Sequence, residues 1–281
     1  MSFPRDRVVA ALDAEIDAAQ PLGGGSIATV WRVRLTDGDV VVVKTGRRLE
    51  PEAWMLRWLA RETRAPVPAV HHAEDDLLIM EHLDGRPGLA AATAETALAE
   101  VVAGLHARSA PSFGFERDTV IGGLPQPNRP HADWLRFFRD ERLLFMARGA
   151  LAAGRLSTDM MMRIERIAGR LERWLPPEST PALIHGDLWH GNILSQGDRI
   201  VGLLDPALYF ADAEIELAFM TLFGSVGERF FSAYREHRPI AAGFFEERRD
   251  IYNLYPLLVH VRLFGASYVG QVAATLSRFG Y

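Results

Sequence analysis

The 281-residue chain contains no cysteine. Disulfides, thiolate metal sites, a cysteine nucleophile and a thiol redox switch are therefore excluded. No apolar run approaches the ~18 residues that a membrane-crossing helix needs. Residues 1–14 mix Arg5, Asp6, Arg7 and Asp13 with alanines, which is unlike a secretory signal peptide. There is no Lys/Arg cluster, and the net charge of -5 argues against a general nucleic-acid surface. Internal repeats and low-complexity tails are missing as well. The remainder, 48% hydrophobic and 24% charged, has the composition of a soluble globular protein, expected in the cytoplasm. Its length suits two modest domains, or two lobes sharing a cleft.

Against this ordinary background stands the octapeptide His185-Gly186-Asp187-Leu188-Trp189-His190-Gly191-Asn192, followed thirteen residues later by Asp205. It fits the spacing H-x-D-L-x-x-x-N of a kinase catalytic loop, with a second acidic residue where a kinase holds magnesium. Phosphoryl transfer needs one carboxylate at the acceptor hydroxyl. It also needs an amide and a second carboxylate on the metal that bridges the phosphates. Asp187 suits the first role, Asn192 and Asp205 the second. Ala182-Leu183-Ile184 before the loop and Ile200 to Leu204 ahead of Asp205 read as short buried strands, so the polar residues lie at strand ends. An isolated Asp or Asn here could be turn chemistry, and it is the full constellation that favours catalysis.

Gly23, Gly24 and Gly25, followed by Ser26, break the chain before an alternating segment, Thr29 to Leu35. Asp37-Gly38 is a hairpin signal, and a valine run then ends at Lys44. The expected structure is two antiparallel strands under a glycine-rich turn, then a strand ending at Lys44. Glycines in such a turn let backbone N–H groups approach phosphate oxygens. The Gly-Lys-Ser/Thr ending of a Walker loop is missing, and no helix follows the glycines as in a Rossmann turn. Lys44 matches the strand lysine that meets nucleotide phosphates, and its partner should be a glutamate on the next helix. Pro51 suits a helix N1 position. Glu52, Leu56 and Leu59 share one face of that helix, making Glu52 the first choice and Glu50 the second. After Pro66-Val67-Pro68, Leu77 to Met80 reads as a buried strand, and Glu81-His82-Leu83-Asp84-Gly85 as a hinge whose backbone can meet an adenine. The lobe boundary falls near residue 84, giving lobes 1–83 and 84–281 with a hinge at 80–84.

Residues 93–108 have helical spacing, and His106 reads as a helix-end histidine rather than a ligand. Residues 111–130, rich in Pro and Gly, read as an ordered irregular loop. Trp134, Leu135, Phe137, Phe138, Leu143 and Leu144 then form a helical stripe, most simply core packing. Further helices are expected at 158–174, from Glu214 with Asp212 as N-cap, through 230–234 and through 251–271.

Several of these segments together resemble the fructosamine kinase (ketosamine-3-kinase) family, of the aminoglycoside-phosphotransferase-like branch of kinase folds. They are His185 to Asn192, Asp205-Pro206-Ala207, Glu216-Leu217-Ala218, Leu222-Phe223-Gly224, Met80 to Leu83, Phe113-Gly114-Phe115, and Asp133-Trp134 with Phe138 and Arg142. Phe230-Phe231 with Ala233-Tyr234 extends the likeness, which covers about residues 8–275. The resemblance implies an α+β, two-lobed protein-kinase-like fold, with a small antiparallel-sheet lobe and a larger, mainly helical one. It further implies Mg2+-dependent use of ATP to phosphorylate the sugar 3-hydroxyl of ketosamines, on small amines or glycated proteins, as deglycation repair. By position, Asp187 is then the base, Asn192 and Asp205 hold magnesium, and Lys44 holds phosphate. Glu81, His82 and Leu83 line the adenine site, while Trp189, His190, Asp133 and Trp134 lie on the acceptor side. His190 stands where the family usually has serine, which bears on the sugar accepted and leaves ribulosamines as well as fructosamines in view. The glycine loop lacks the cysteine of several relatives, so their thiol regulation cannot operate. No membrane or nucleic-acid partner is expected, and the chain should act as a monomer.

Two rivals remain at this point. One keeps the fold and changes the acceptor to an aminoglycoside, choline or homoserine. Its signal would be an acidic acceptor pocket, for which Asp212, Glu214 and Glu216 are the candidates, though they equally suit a helix cap and first turn. The other is a nucleotide-binding pseudokinase, which the intact chemical positions disfavour.

Overall fold

The computed structural model describes residues 2–23 and 28–281. A short helix α1 (Arg5–Leu12) leads into strands β1 (Ile16–Leu22), β2 (Thr29–Leu35) and β3 (Val40–Thr45), then helix α2 (Leu49–Glu62) and strands β4 (Val70–Ala73) and β5 (Leu77–Glu81). The five strands form one antiparallel sheet in the order β1-β2-β3-β5-β4. Alternation sorts its two faces. Val33, Leu35, Val41, Val43, Leu77 and Ile79 pack with Val8 of α1, while Leu78 and Met80 pack with Leu49, Ala53 and Leu56 of α2. The expected hairpin turns at Asp37-Gly38, where Gly38 takes φ +100°. Helix α2 begins two residues before the position expected from Pro51. Proline therefore occupies the third helical residue, still within the turn whose N–H groups have no intrahelical acceptor.

The chain leaves this sheet at Glu81, and strand β6 (Arg86–Pro87) joins a second one. Helix α3 (Ala94–His106) follows, and then the segment expected to be irregular contains a hairpin, β7 (Thr119–Ile121) and β8 (Leu124–Gln126). Gly122 and Gly123 both have positive φ, the geometry of a two-residue hairpin turn that only small residues adopt readily. The Gly-Gly pair was the legible signal for it. Helix α4 (Trp134–Phe137) continues through a π-helical stretch (Phe138–Leu144) into α5 (Phe145–Ala152). Helix α6 (Thr158–Ala168) is shorter than expected, and a separate 3-10 turn covers Leu171–Arg173.

Strands β9 (Ala182–Ile184), β10 (Ile193–Gln196), β11 (Arg199–Leu203) and β12 (Tyr209–Ala211) carry the catalytic-type motif between them. β10 pairs with β11 and β6, and β9 pairs with β12. Helices α7 (Glu214–Leu222), α8 (Glu228–His237), α9 (Arg249–Phe264) and α10 (Val269–Arg278) complete the chain. One large core unites these helices with Met55, Trp58 and Leu59 of α2, so α2 packs on both the first sheet and the helical part. No helix among the described residues is long and apolar enough to cross a membrane.

Candidate active site

Asp187 and Asp205 are carried on two loops that the backbone ties together. β9 delivers His185, Gly186 and Asp187; β11 delivers Leu204, Asp205 and Pro206. Ala207 N–H donates to the His185 carbonyl (2.8 Å), and Leu204 N–H donates to the Asn192 carbonyl (2.9 Å). Glycine at 186 is obligatory: its φ is +86°, and a Cβ there would lie 2.2 Å from the Ala207 carbonyl oxygen. Asp205 itself sits at φ +53°, a conformation rare for a side-chain-bearing residue and a form of strain often found at functional sites.

The side chains converge. Asn192 Nδ2 donates to Asp187 Oδ2 (2.9 Å) and to the Asp187 carbonyl (2.8 Å), which leaves the side-chain Oδ1 of Asn192 as the free end of the amide. Lys44 Nζ donates to Glu52 Oε1 and Oε2 (2.9 and 2.8 Å) and, across the cleft, to Asp205 Oδ1 (2.6 Å). Glu52 is thus the partner that Lys44 meets. Glu50 instead pairs with Arg117 on the outside. Lys44 and Glu52 are buried, whereas the Asp205 side chain is 47% exposed and reaches the cleft.

Burial, and then the nearby charge of Asp205, push the Asp187 pKa up to about 7, against the opposing hydrogen bond from Asn192. Around the half-exposed Asp205, loss of water acts in the same direction, but the Lys44 ammonium outweighs it and holds the carboxyl below its usual range. Two carboxylates likewise outweigh burial at Lys44 and keep it protonated. Burial lowers the His185 pKa to about 4, so its ring is neutral, and its Nδ1 accepts from the Asp187 N–H (3.3 Å).

Beneath the loop lies a residue that the sequence placed in the family likeness and among a rival's pocket acids, with no part in holding the loop. Glu216 on α7, with no exposed side-chain surface, accepts from Gly186 N–H (2.7 Å) and His185 N–H (3.3 Å). It also bonds His106 Nε2 (3.0 Å), whose Nδ1 meets the Tyr234 hydroxyl (2.7 Å). His106 is therefore a buried structural histidine at the end of α3. Glu214 pairs with Arg248, and Asp212 accepts from Ser179 Oγ and the Glu214 N–H. Glu214 and Glu216 are thus already engaged, and Asp212 is buried.

A narrow pocket opens beside Asp187, enclosing only about 20 Å³. Ile184, Tyr209, Phe219 and Val259 contribute apolar wall, and His260 closes one side. The β7–β8 hairpin supports it from behind, where Gln126 Nε2 donates to the Ala207 carbonyl (3.0 Å) and its Oε1 accepts from the Tyr255 hydroxyl (2.7 Å). Arg142, fully buried, donates to the Pro127 carbonyl and to Asn128 Oδ1, with Tyr209 stacked 3.8 Å from its guanidinium. Gln126, Arg142, Tyr209 and Tyr255 were not expected at the site.

The remaining expected residues divide. Trp189 is partly exposed, its ring folded over Gly191, where a Cβ would lie 2.5 Å from it. His190 is exposed and packs edge-on against Trp189 at 4.7 Å. Leu83 packs against Gly202, the Glu81 carboxylate accepts from Ala69 N–H (3.0 Å), and His82 lies 3.5 Å from Asp84. Gly23 is described and has open space around it; Gly24, Gly25 and Ser26 lie outside the described residues. Trp134 needs correction as an acceptor-side residue. Trp134 is 1% exposed, stacked on Phe137 and Phe138, with its indole N–H donated to Tyr252. Asp133 is the exposed N-cap of α4, accepting from Arg136 N–H. Core packing of the aromatic stripe decided the matter there.

No cluster of three or more His, Asp or Glu able to hold a metal ion occurs among the described residues. The set available, the side-chain Oδ1 of Asn192 and the Asp205 carboxylate, is all oxygen and fits magnesium, which is typically held by one or two protein groups together with substrate phosphates.

The fructosamine kinase family matches residues 7–279. The chain is 32% identical over 275 residues to "Probable ketoamine kinase YniA" of Escherichia coli strain K12, covering 95% of this chain and 94% of that one. It is 31% identical over 267 residues to a "Probable ketoamine kinase" of Enterococcus faecium, covering 92% and 94%. A crystal structure of a "putative fructosamine-3-kinase" from Thermobifida fusca superposes with a TM-score of 0.86 at 34% identity, covering 98% of this chain and 97% of that one. Aminoglycoside phosphotransferase APH(4)-Ia, solved with AMP-PNP and hygromycin B, shares the fold alone: TM-score 0.71, 15% identity, 99% of each chain. The fold is accordingly the two-lobed, protein-kinase-like one, and the chain belongs to the fructosamine kinase family.

Proposed function

We propose that this protein transfers the γ-phosphoryl group of ATP to the sugar 3-hydroxyl of a ketosamine, a ribulosamine or fructosamine adduct of a small amine or a protein lysine. The observation that carries the reading is the convergence of Lys44, Glu52, Asp205, Asn192 and Asp187 within one hydrogen-bonded group, inside a chain of this family. Residues 1–83 would cover the nucleotide and residues 84–281 the acceptor, with 80–84 as the hinge and the backbone of Glu81 to Leu83 against the adenine. Trp189 and His190 would flank the sugar, and Gly23 to Ser26 would cover the phosphates. Removal of an early glycation adduct is the physiological use consistent with such chemistry.

Asp187 accepts the hydrogen bond of the acceptor hydroxyl and takes its proton as the oxygen bonds to the γ-phosphorus and the bond to ADP breaks. Its elevated pKa suits it to hold that proton near neutrality. Asn192 fixes the carboxylate by donating to Oδ2, leaving Oδ1 for the hydroxyl. Lys44, kept charged and oriented by Glu52, leaves Asp205 for a phosphate oxygen when nucleotide enters. Asp205 and the side-chain Oδ1 of Asn192 would hold magnesium, which would supply charge neutralisation on the phosphates.

The test is ADP release from Mg-ATP with ribulosyl-lysine, fructosyl-lysine, kanamycin and choline. Turnover on a ketosamine is expected. Turnover on kanamycin or choline alone would overturn the acceptor, and ATP binding without turnover on any acceptor would favour a binding module.

A further inference from the structure

Gln126 ends strand β8, outside every motif considered above, and is fully buried. Its whole amide is engaged. Nε2 donates to the Ala207 carbonyl (3.0 Å) and to Thr119 Oγ1 (2.8 Å), while Oε1 accepts from the Tyr255 hydroxyl (2.7 Å). A carbonyl can only accept, so the nitrogen end of the amide is fixed toward Ala207. The Thr119 hydroxyl donates in turn to the next carbonyl, that of Leu208 (3.3 Å). Phe210 exchanges backbone hydrogen bonds with Gly114.

Residues 207–210 are thus held on one side by the segment that contains the hairpin. On the other side they meet the strand that carries the Asp187 loop: Ala207 N–H donates to the His185 carbonyl, and Tyr209 pairs with Ile184. The Ala207 peptide joins the two sides. Its carbonyl oxygen, the one that Gln126 holds, stands so close to Gly186 that a Cβ there would lie 2.2 Å from it. Glu216 grips the Gly186 N–H from a different direction (2.7 Å). Gly186 is therefore fixed between an acceptor on α7 and a carbonyl whose direction Gln126 sets, and Asp187 is the next residue. Without the Gln126 donor, the buried Ala207 carbonyl loses that hydrogen bond, and a turn of its peptide shifts Gly186 and with it the Asp187 carboxylate.

We propose that Gln126 is a positioning residue: by holding the Ala207 carbonyl against Gly186, it sets where the Asp187 carboxylate stands. This rests on the reading of Asp187 as the base.

The experiment places Gln126→Met, which keeps an unbranched side chain of similar length and removes the donors, in wild type and in Asp187→Asn. Turnover and both KM values are measured with ribulosyl-lysine, or with whichever alcohol of the panel above the wild type phosphorylates fastest. In wild type, kcat should fall about 10-fold or more, the scale of a small misplacement of a reacting group, with the KM for ATP within about 2-fold. In Asp187→Asn the same substitution should change residual turnover less than about 3-fold, because the carboxylate that it displaces is already gone. A merely structural role would give the same fold loss in both backgrounds. Thr119→Val takes away the second acceptor of Nε2 and leaves the bond to Ala207. It should lose about 3-fold in wild type and nothing further in Asp187→Asn, and it carries the comparison if Gln126→Met does not fold. An unchanged kcat, or an equal fold loss in the two backgrounds, overturns the inference alone. Near-normal turnover of Asp187→Asn, or no turnover of wild type on any alcohol, overturns the activity reading and the inference with it.

Discussion

At Asp187 the proposed role as base and the stability of the fold stand in opposition. Its folded-state pKa of about 7 exceeds the ordinary aspartate value, so between about pH 4 and 7 the native state holds more protons than the unfolded one. Stability from this group is present at low pH and is lost as pH rises through that window. Asp187→Asn removes the titration and the repulsion from Asp205. Without nucleotide, this variant should melt higher than wild type at pH 8 and lose the advantage toward pH 5, while turnover falls ~100-fold or more. Thermal melts across pH with a parallel rate assay check it; a lower melting temperature at pH 8 would contradict the account. Glu216 is different, because it stabilises the fold as it positions the loop. Glu216→Ala leaves two backbone N–H groups and His106 without their acceptor and should cost about 3–5 kcal/mol in urea unfolding. Glu216→Gln, which keeps one oxygen for Gly186, should cost clearly less.

Among the elements, the loop from β9 to Asn192 depends on a glycine more than on any charge. Gly186→Ala meets both a positive φ and the Ala207 carbonyl, and should destabilise by ~2 kcal/mol or more and displace Asp187. A crystal structure and melt of that variant would show it, and an unchanged loop would refute the packing argument. Local pattern made the first sheet legible, since β-branched alternation and Asp37-Gly38 specify strands and turn without distant help. Lys44 and Glu52 followed from strand end and helix face. What stayed hidden depends on tertiary placement. Three acids at the start of α7 look alike as first-turn charges, and only the approach of β9 buries Glu216 and leaves Glu214 to Arg248. Arg142, Gln126 and His260 lie far along the chain from the motif they surround. Trp134 shows the reverse error, where a family likeness suggested a contact and helical spacing had already indicated core.

Across the whole molecule, Lys44 reaches Asp205 across the cleft proposed for the nucleotide, and α2 packs on both the first sheet and the helical part. Mg-ATP should replace that bridge and raise the melting temperature with concentration. Asp205→Ala should lose most of the magnesium-dependent part of the shift, measured with and without chelator; an undiminished shift would remove Asp205 from the metal. The central claim is phosphorylation of a ketosamine through Asp187, and its most direct test is the product itself. Fructosyl-lysine or ribulosyl-lysine incubated with Mg-ATP should yield a monophosphate, assigned by mass and 31P NMR to the 3-oxygen, and Asp187→Asn should yield almost none. Absence of phosphorylated ketosamine with wild type, phosphate on another oxygen, or product undiminished in Asp187→Asn would contradict the account.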